Sequence, residues 1–181
     1  MAHERIEVDL PLAKVYEYLS DPGYFPHFFE RIQYVNKINS KTFELFSEIG
    51  SEEYQWTVNI IDDLRNTRFA WITINGNLNQ TGTIRFTPLD NGERTRVDFN
   101  LDCRTFYGEP EEDLAQFIQA LPAQLKKDLE RFKEEAENST FKQKAEDTVK
   151  AAEKARAEKI AKKEEQENTE EAQEEDEEVT V

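Results

Sequence analysis

Apolar and polar residues alternate with period two through much of the first hundred residues, the pattern of strands that bury one face. In HERIEVDL, near the start, Ile6 and Val8 share a face. IQYVNKIN (32–39) and KTFELFSEIG (41–50) follow, the second with Phe43, Leu45 and Ile49 on one side. EEYQWTVNII sets Tyr54, Trp56, Val58 and Ile60 against Glu53, Gln55, Thr57 and Asn59. RFAWITIN (68–75) leaves its parity undecided, because Phe69, Trp71 and Thr73 compete with Ala70, Ile72 and Ile74. TGTIRFTPL groups Gly82, Ile84 and Phe86. ERTRVDFNLDC alternates cleanly, with Thr95, Val97, Phe99, Leu101 and Cys103 against Arg96, Asp98, Asn100 and Asp102. Asp90-Asn91-Gly92 and Asn75-Gly76-Asn77 supply the positive-φ residues that tight hairpins need. Asn39-Ser40 and Gly50-Ser51 are weaker turn signals. Consecutive strands with such short connections predict an antiparallel meander.

Two segments carry helical periodicity instead. PLAKVYEYLSD (11–21) places Leu12, Val15, Tyr16 and Leu19 on one face, with Pro11 suited to a first turn. Asp21-Pro22-Gly23 breaks it, and YFPHFFERI reads as a second short helical piece. A long helix is predicted from near Pro110 to about Ala136. Glu111, Glu112 and Asp113 at its start complement the helix dipole. Its apolar face is Leu114, Phe117, Ile118, Leu121, Leu125, Leu129 and Phe132. Pro122 lies inside it and is expected to kink or divide it. The order is strand, two small helices, six strands, one long helix. An antiparallel sheet with one apolar face must be covered, and the C-terminal helix is the long element available. The fold class is therefore α+β, a curved antiparallel sheet of about seven strands around that helix, with space for a pocket between them.

Composition divides the chain. Of 39 acids and 23 bases in 181 residues, 17 acids and 8 bases lie in residues 134–181. Phe141 is the one aromatic residue of that segment. A segment so poor in aromatic and branched residues offers little burial to offset its chain entropy. The expectation is a folded domain over 1–137 and an appendage over 138–181. FKQKAEDTVKAAEKARAEKIAKK (141–163) reads as a solvated helix with Glu146–Lys150 and Glu158–Lys162 pairs and a thin stripe of Phe141, Ala145, Val149, Ala152 and Ile160. The last eighteen residues hold ten acids and no base, and such a run is usually disordered. The acidic balance argues against nucleic acid and against anionic lipid surfaces. No apolar run reaches the ~20 residues that cross a bilayer, and MAHERIEVDL shows no secretory signal. A cytoplasmic protein is expected, its oligomeric state left open. One cysteine and two histidines, His3 and His27, exclude a disulfide framework and leave little for a metal site.

The ordered residues resemble the polyketide cyclase/dehydrase branch of the START-like (SRPBCC), helix-grip superfamily. The resemblance starts with Ile6-x-Val8-x-x-Pro11, Val15-Tyr16-x-x-Leu19-Ser20-Asp21 and Phe25-Pro26-x-Phe28-Phe29. It continues through Trp56, Phe69-Ala70-Trp71, Asn79-x-x-Gly82-x-Ile84-x-Phe86 and Gly92-x-x-Thr95-Arg96-Val97. It ends on Asp128-Leu129-x-Arg131-Phe132-Lys133. It covers about 1–137. It implies a helix-grip fold and a range of activities from lipid carriers to cyclases, because fold alone does not decide function.

A pocket between sheet and helix suits a hydrophobic or aromatic ligand. The candidate ligand-binding residues are Phe28, Tyr54, Trp56, Trp71, Phe99, Phe117, Leu121 and Leu125, each of which could equally be core packing. Tyr24, Phe25, Phe28 and Phe29 suggest a mouth, or burial against the sheet edge. No catalytic residue, metal site or cofactor is assigned. His27 is read as an exposed or locally bonded side chain. Arg68, Arg85 and Arg96 fall on the outer parity. Asp62-Asp63 and Glu111-Glu112-Asp113 read as solvated turn or helix-start carboxylates. Cys103 reads as an inert buried thiol. Binding or transport of a small hydrophobic molecule or lipid is the first expectation. A polyketide cyclase/dehydratase-like enzyme is the alternative, favoured if two polar side chains converge deep in the pocket rather than Ser47, Thr73 and Thr95 alone. A third reading gives the tail a partner-binding role.

Overall fold

The computed structural model describes residues 1–105 and 110–178, with side chains described to residue 166. The strands are β1 (Ala2–Val8), β2 (Tyr34–Lys37), β3 (Thr42–Ile49), β4 (Glu52–Leu64), β5 (Arg68–Gly76), β6 (Asn79–Leu89) and β7 (Arg94–Arg104). They form one sheet in the order β1-β7-β6-β5-β4-β3-β2, every neighbouring pair antiparallel. Helices α1 (Leu12–Leu19) and α2 (Phe25–Phe28) carry the chain from the β1 edge to the β2 edge. α3 (Glu112–Ala136) packs on the concave face. This is the antiparallel sheet around a long C-terminal helix that the periodicity predicts, and the helix-grip fold that the resemblance implies.

The alternation sets the core. Tyr54, Trp56, Val58 and Ile60 are buried on β4, and Thr95, Val97, Phe99, Leu101 and Cys103 on β7. Cross-strand partners Ile84↔Phe99, Phe86↔Val97 and Ile6↔Val97 lock the register, since a one-residue slip would turn every one of them outward. The undecided parity of β5 resolves into a buried run, Phe69-Ala70-Trp71, followed by exposed Ile72 and Ile74. The ladder to β4 shifts between Ile60 and Asp62, so Ile61 is extra and exposed, and the bulge bends the strand. Positive φ falls at Gly76, Asp90, Asn91 and Gly92 in the expected hairpins, and also at Asn66.

Four sequence readings change. β4 continues past Ile61, so Asp62 and Asp63 lie on a strand and are engaged. Asp62 pairs with Arg68, and Asp63 accepts from the Tyr16 hydroxyl. Burial, then Asp63, raises the Tyr16 pKa. α3 runs through Pro122 undivided, because Pro122 is on the exposed side, where the carbonyl it deprives of a donor can take water. His27 is neither exposed nor locally bonded: its Nδ1 lies 3.0 Å from Thr148 Oγ1, 121 residues away. The fourth concerns α4 (Phe141–Glu178), the start of whose thin apolar stripe, Phe141 and Ala145, is buried, whereas Ile160 at its far end is exposed. Phe141 is fully buried, with ring centroids 4.2 Å from Tyr18, 5.2 Å from His27 and 5.8 Å from Phe132. Further along, the Arg156 guanidinium stacks 3.6 Å above Phe46, on the outer face of the sheet, and pairs with Glu53. Lys159 meets the same Glu53 at 2.7 Å. Apart from Phe132, these partners are distant in sequence, so the helix's own periodicity does not reveal them.

Candidate ligand cavity

Between α3, α2 and the concave face lies an apolar cavity of about 40 Å³. α2 and the residues after it contribute Phe25, Phe29 and Ile32. The sheet contributes Leu45, Trp71 and Leu101, and α3 contributes Phe117 and Leu121. Four polar residues join them: Arg31, Gln80, Gln124 and Asp128.

Trp71 is held from several sides. Its ring lies 5.6 Å from Phe25, 5.9 Å from Phe69 and 5.9 Å from Phe99. Its indole N–H donates to Gln80 Oε1 at 3.3 Å. Across the ladder its partner is Gly82, and the benzo edge of the indole rests on that Cα. A Cβ at Gly82 would sit 2.0 Å from Cζ2, so only glycine leaves the ring room.

Asp128 enters from α3. Its Oδ1 accepts from the Glu30 backbone N–H at 3.3 Å and from Gln124 Nε2 at 2.9 Å, with Arg131 at 3.7 Å. Among the described residues no donor is bonded to Oδ2. Burial raises the Asp128 pKa, against the lowering effect of Gln124, the Glu30 amide and Arg131. Gln124 also donates to Glu30 Oε2 at 2.9 Å, tying α3 to the segment after α2.

A more polar recess of about 270 Å³ adjoins the cavity at the start of α3, lined by Ile49, Gly50, Asp113, Gln116 and Ala120. Arg31, Phe117 and Gln124 line both spaces, and Phe117 is half-buried. A larger cleft of about 470 Å³ separates α4 from β2. Its walls include Asp21, Lys37, Glu146, Lys150 and Glu153, charges of both signs that do not suit an apolar ligand.

Of the eight candidates read from the sequence, Trp71, Phe117 and Leu121 are in the cavity wall. Phe99 lies behind it, 5.6 Å from Phe29. Phe28 packs on Phe25, Phe29 and Phe132. Leu125 is buried one turn beyond Leu121. Tyr54 and Trp56 are buried on β4 away from the cavity lining, and the Trp56 indole N–H has no acceptor among the described residues. Phe25, Phe28 and Phe29, whose place at a mouth or against the sheet was open, are buried. Sequence reasoning missed Gln80 and Asp128. Extending the Gly82-Ile84-Phe86 parity back two residues reaches Gln80, and the Leu121-Leu125-Leu129 face includes position 128. Cys103 is buried, which pushes its thiol up to about 12. Among the described residues no group of three or more His, Cys, Asp or Glu could hold a metal. Among them, too, no helix is long and apolar enough to cross a membrane.

A family profile described as polyketide cyclase/dehydrase and lipid transport matches residues 2–137. The chain belongs to this polyketide cyclase/dehydrase and lipid transport family. An uncharacterized 17.2 kDa protein of Streptomyces lincolnensis is 28% identical to this chain over 134 residues, covering 72% of this chain and 85% of its own. Among solved structures, the Zhui aromatase/cyclase of a Streptomyces species superposes with a TM-score of 0.61 at 20% identity, covering 75% of this chain and 92% of its own. A START superfamily protein from Mycobacterium smegmatis gives 0.60 at 16% identity, with 74% and 96% covered. At these identities the structures establish the START-like fold that the polyketide cyclase/dehydrase profile carries.

Proposed function

We propose that the chain binds a small hydrophobic molecule between the sheet and α3, in a domain spanning residues 1–137, with residues 138–181 as an appendage. The observation that supports this most is the wall of aromatic and aliphatic side chains around an unfilled interior space. As it stands, 40 Å³ is far below the ~300 Å³ at which ligand pockets begin. Turning Phe117 aside joins the cavity to the 270 Å³ recess and brings the space to that range. Trp71, Phe117 and Leu121 then contact the ligand, with Phe28, Tyr54, Trp56, Phe99 and Leu125 stiffening the walls behind. Native mass spectrometry of gently purified protein tests the reading. A co-purifying hydrophobic species removed by organic extraction is expected. A wholly ligand-free spectrum, with no uptake of an added neutral hydrophobic dye, would overturn it.

One observation favours a second reading, a cyclase or dehydratase. Two buried polar side chains, Gln80 and Asp128, line the cavity, whereas Ser47 and Thr95 spend their hydroxyls on the carbonyls of Arg31 and Leu10. A carboxyl group in an apolar site suits proton transfer at a carbonyl. This reading requires that Asp128→Ala abolish turnover of a poly-β-ketone while leaving its binding intact.

A further inference from the structure

Gln80 and Asp128 bring unspent hydrogen-bonding capacity to the cavity from opposite walls. Gln80, on β6, is 6% exposed. An indole N–H can only donate, so the Trp71 bond fixes the Gln80 oxygen toward the indole and leaves Nε2 as a free donor. Among the described residues Nε2 has no acceptor. Asp128, on α3, is 4% exposed, and among the described residues its Oδ1 takes both hydrogen bonds and the ion pair, leaving Oδ2 as a free acceptor there. A bare hydrocarbon would seal both groups away from water unpaired. An organic anion would bring like charge against Asp128. Arg31 is the cation of the cavity wall, but it is exposed at the rim, where an ion pair is worth little, and Asp113 lines the same recess; Arg131 already pairs with Asp128 Oδ1 and Glu30.

We infer that the cavity selects a neutral hydroxyl-bearing aromatic molecule, a phenol, whose O–H donates to Asp128 Oδ2 and whose ring lies among Phe25, Phe29, Trp71 and Phe117. An oxygen of the same ligand takes the Gln80 amide. In its ionised form Asp128 accepts the hydroxyl hydrogen, and in its neutral form it can accept or donate, so a hydroxyl serves either state. The inference rests on the cavity being the ligand site, and it adds the ligand's chemical class.

Equilibrium dialysis of the full chain against three probes of similar size tests it: 2-naphthol, 2-methoxynaphthalene and 2-naphthoate. The naphthol is expected to bind at least tenfold more tightly than its methyl ether, and the naphthoate most weakly. Asp128→Asn places an NH2 donor where Oδ2 stood and should bring the first ratio to within about twofold. Equal binding of naphthol and ether by the wild-type chain refutes the inference even if the variant fails to fold. Tightest binding of naphthoate refutes it in favour of an anion held by Arg31. If none of the three binds but neutral N-phenyl-1-naphthylamine does, the phenol inference fails alone. If that dye also fails to bind, the cavity itself is not a ligand site.

Discussion

Gly82→Ala tests whether the Trp71 wall is built as described. Gly82 has ordinary extended backbone, so by chain entropy alone alanine should stabilise the protein by about 0.4–1 kcal/mol. The structure reverses that sign. The new Cβ would lie 2.0 Å from Trp71 Cζ2 and 2.4 Å from both Cε2 and Cη2. Carbon atoms sit at about 3.5–4.0 Å, so the indole must retreat by roughly 1.5 Å. It retreats into the cavity it lines, lengthening its bond to Gln80. Overpacking of this kind costs about 1–3 kcal/mol. At roughly 2–4 °C per kcal/mol for a chain of this size, a cost of about 2 kcal/mol lowers Tm by about 4–8 °C. Thermal unfolding followed by circular dichroism reads this directly. The three crowded atoms belong to the six-membered ring of the indole, which reaches beyond a phenyl ring. Trp71→Phe with Gly82→Ala should therefore be more stable than the two single losses added together, by about 1 kcal/mol. A Gly82→Ala protein as stable as wild type, or strict additivity in the cycle, would refute the packing argument.

Three other consequences are open to measurement. Phe141→Ala removes a fully buried ring from the seam between α4 and the domain. A loss of about 3 kcal/mol is expected, the low end for buried Phe because a helix end can shift. Hydrogen exchange should show the amides of 141–156 losing protection while the sheet keeps its own. His27 links the same seam to pH: burial lowers its pKa below the ordinary 6.5, against Glu135 and with Lys144 and Arg131. Its contribution to stability is thus full above about pH 6.5 and is lost as pH falls toward the lower folded value. Chemical denaturation between pH 8 and pH 5 should show that fall, and His27→Gln should flatten it. Phe117→Ala should speed uptake of a neutral hydrophobic dye in stopped flow, because it opens the wall shared by cavity and recess. An unchanged rate would remove Phe117 from the entry path.

The strand set was readable because one buried face writes its parity into the sequence. β7 is the clearest case, with five inward residues and all five buried. β5 was unreadable for the opposite reason: its ladder to β6 is regular, so Phe69 and Trp71 face the core while Ala70 is buried on the other face, outside the core cluster, and alternation cannot separate two covered faces. The aromatic part of the cavity was partly legible, since Trp71, Phe117 and Leu121 follow from parity and helical spacing. Gln80 and Asp128 escaped because a polar residue at an inward position reads as a break in the pattern, although such breaks are where a site is built. The docking of α4 escaped because its anchors, His27, Phe46 and Glu53, are about a hundred residues away from the helix that meets them.

The central claim is that a hydrophobic ligand enters the space beside Trp71. The chain has two tryptophans, so two indole N–H resonances report on it, assignable with Trp56→Phe. Both rings are buried, but only Trp71 lines the cavity. On titration with 2-naphthol, the Trp71 indole signal should shift saturably while that of Trp56 stays near its starting position. A Trp71 signal that does not move at saturating ligand would contradict the account.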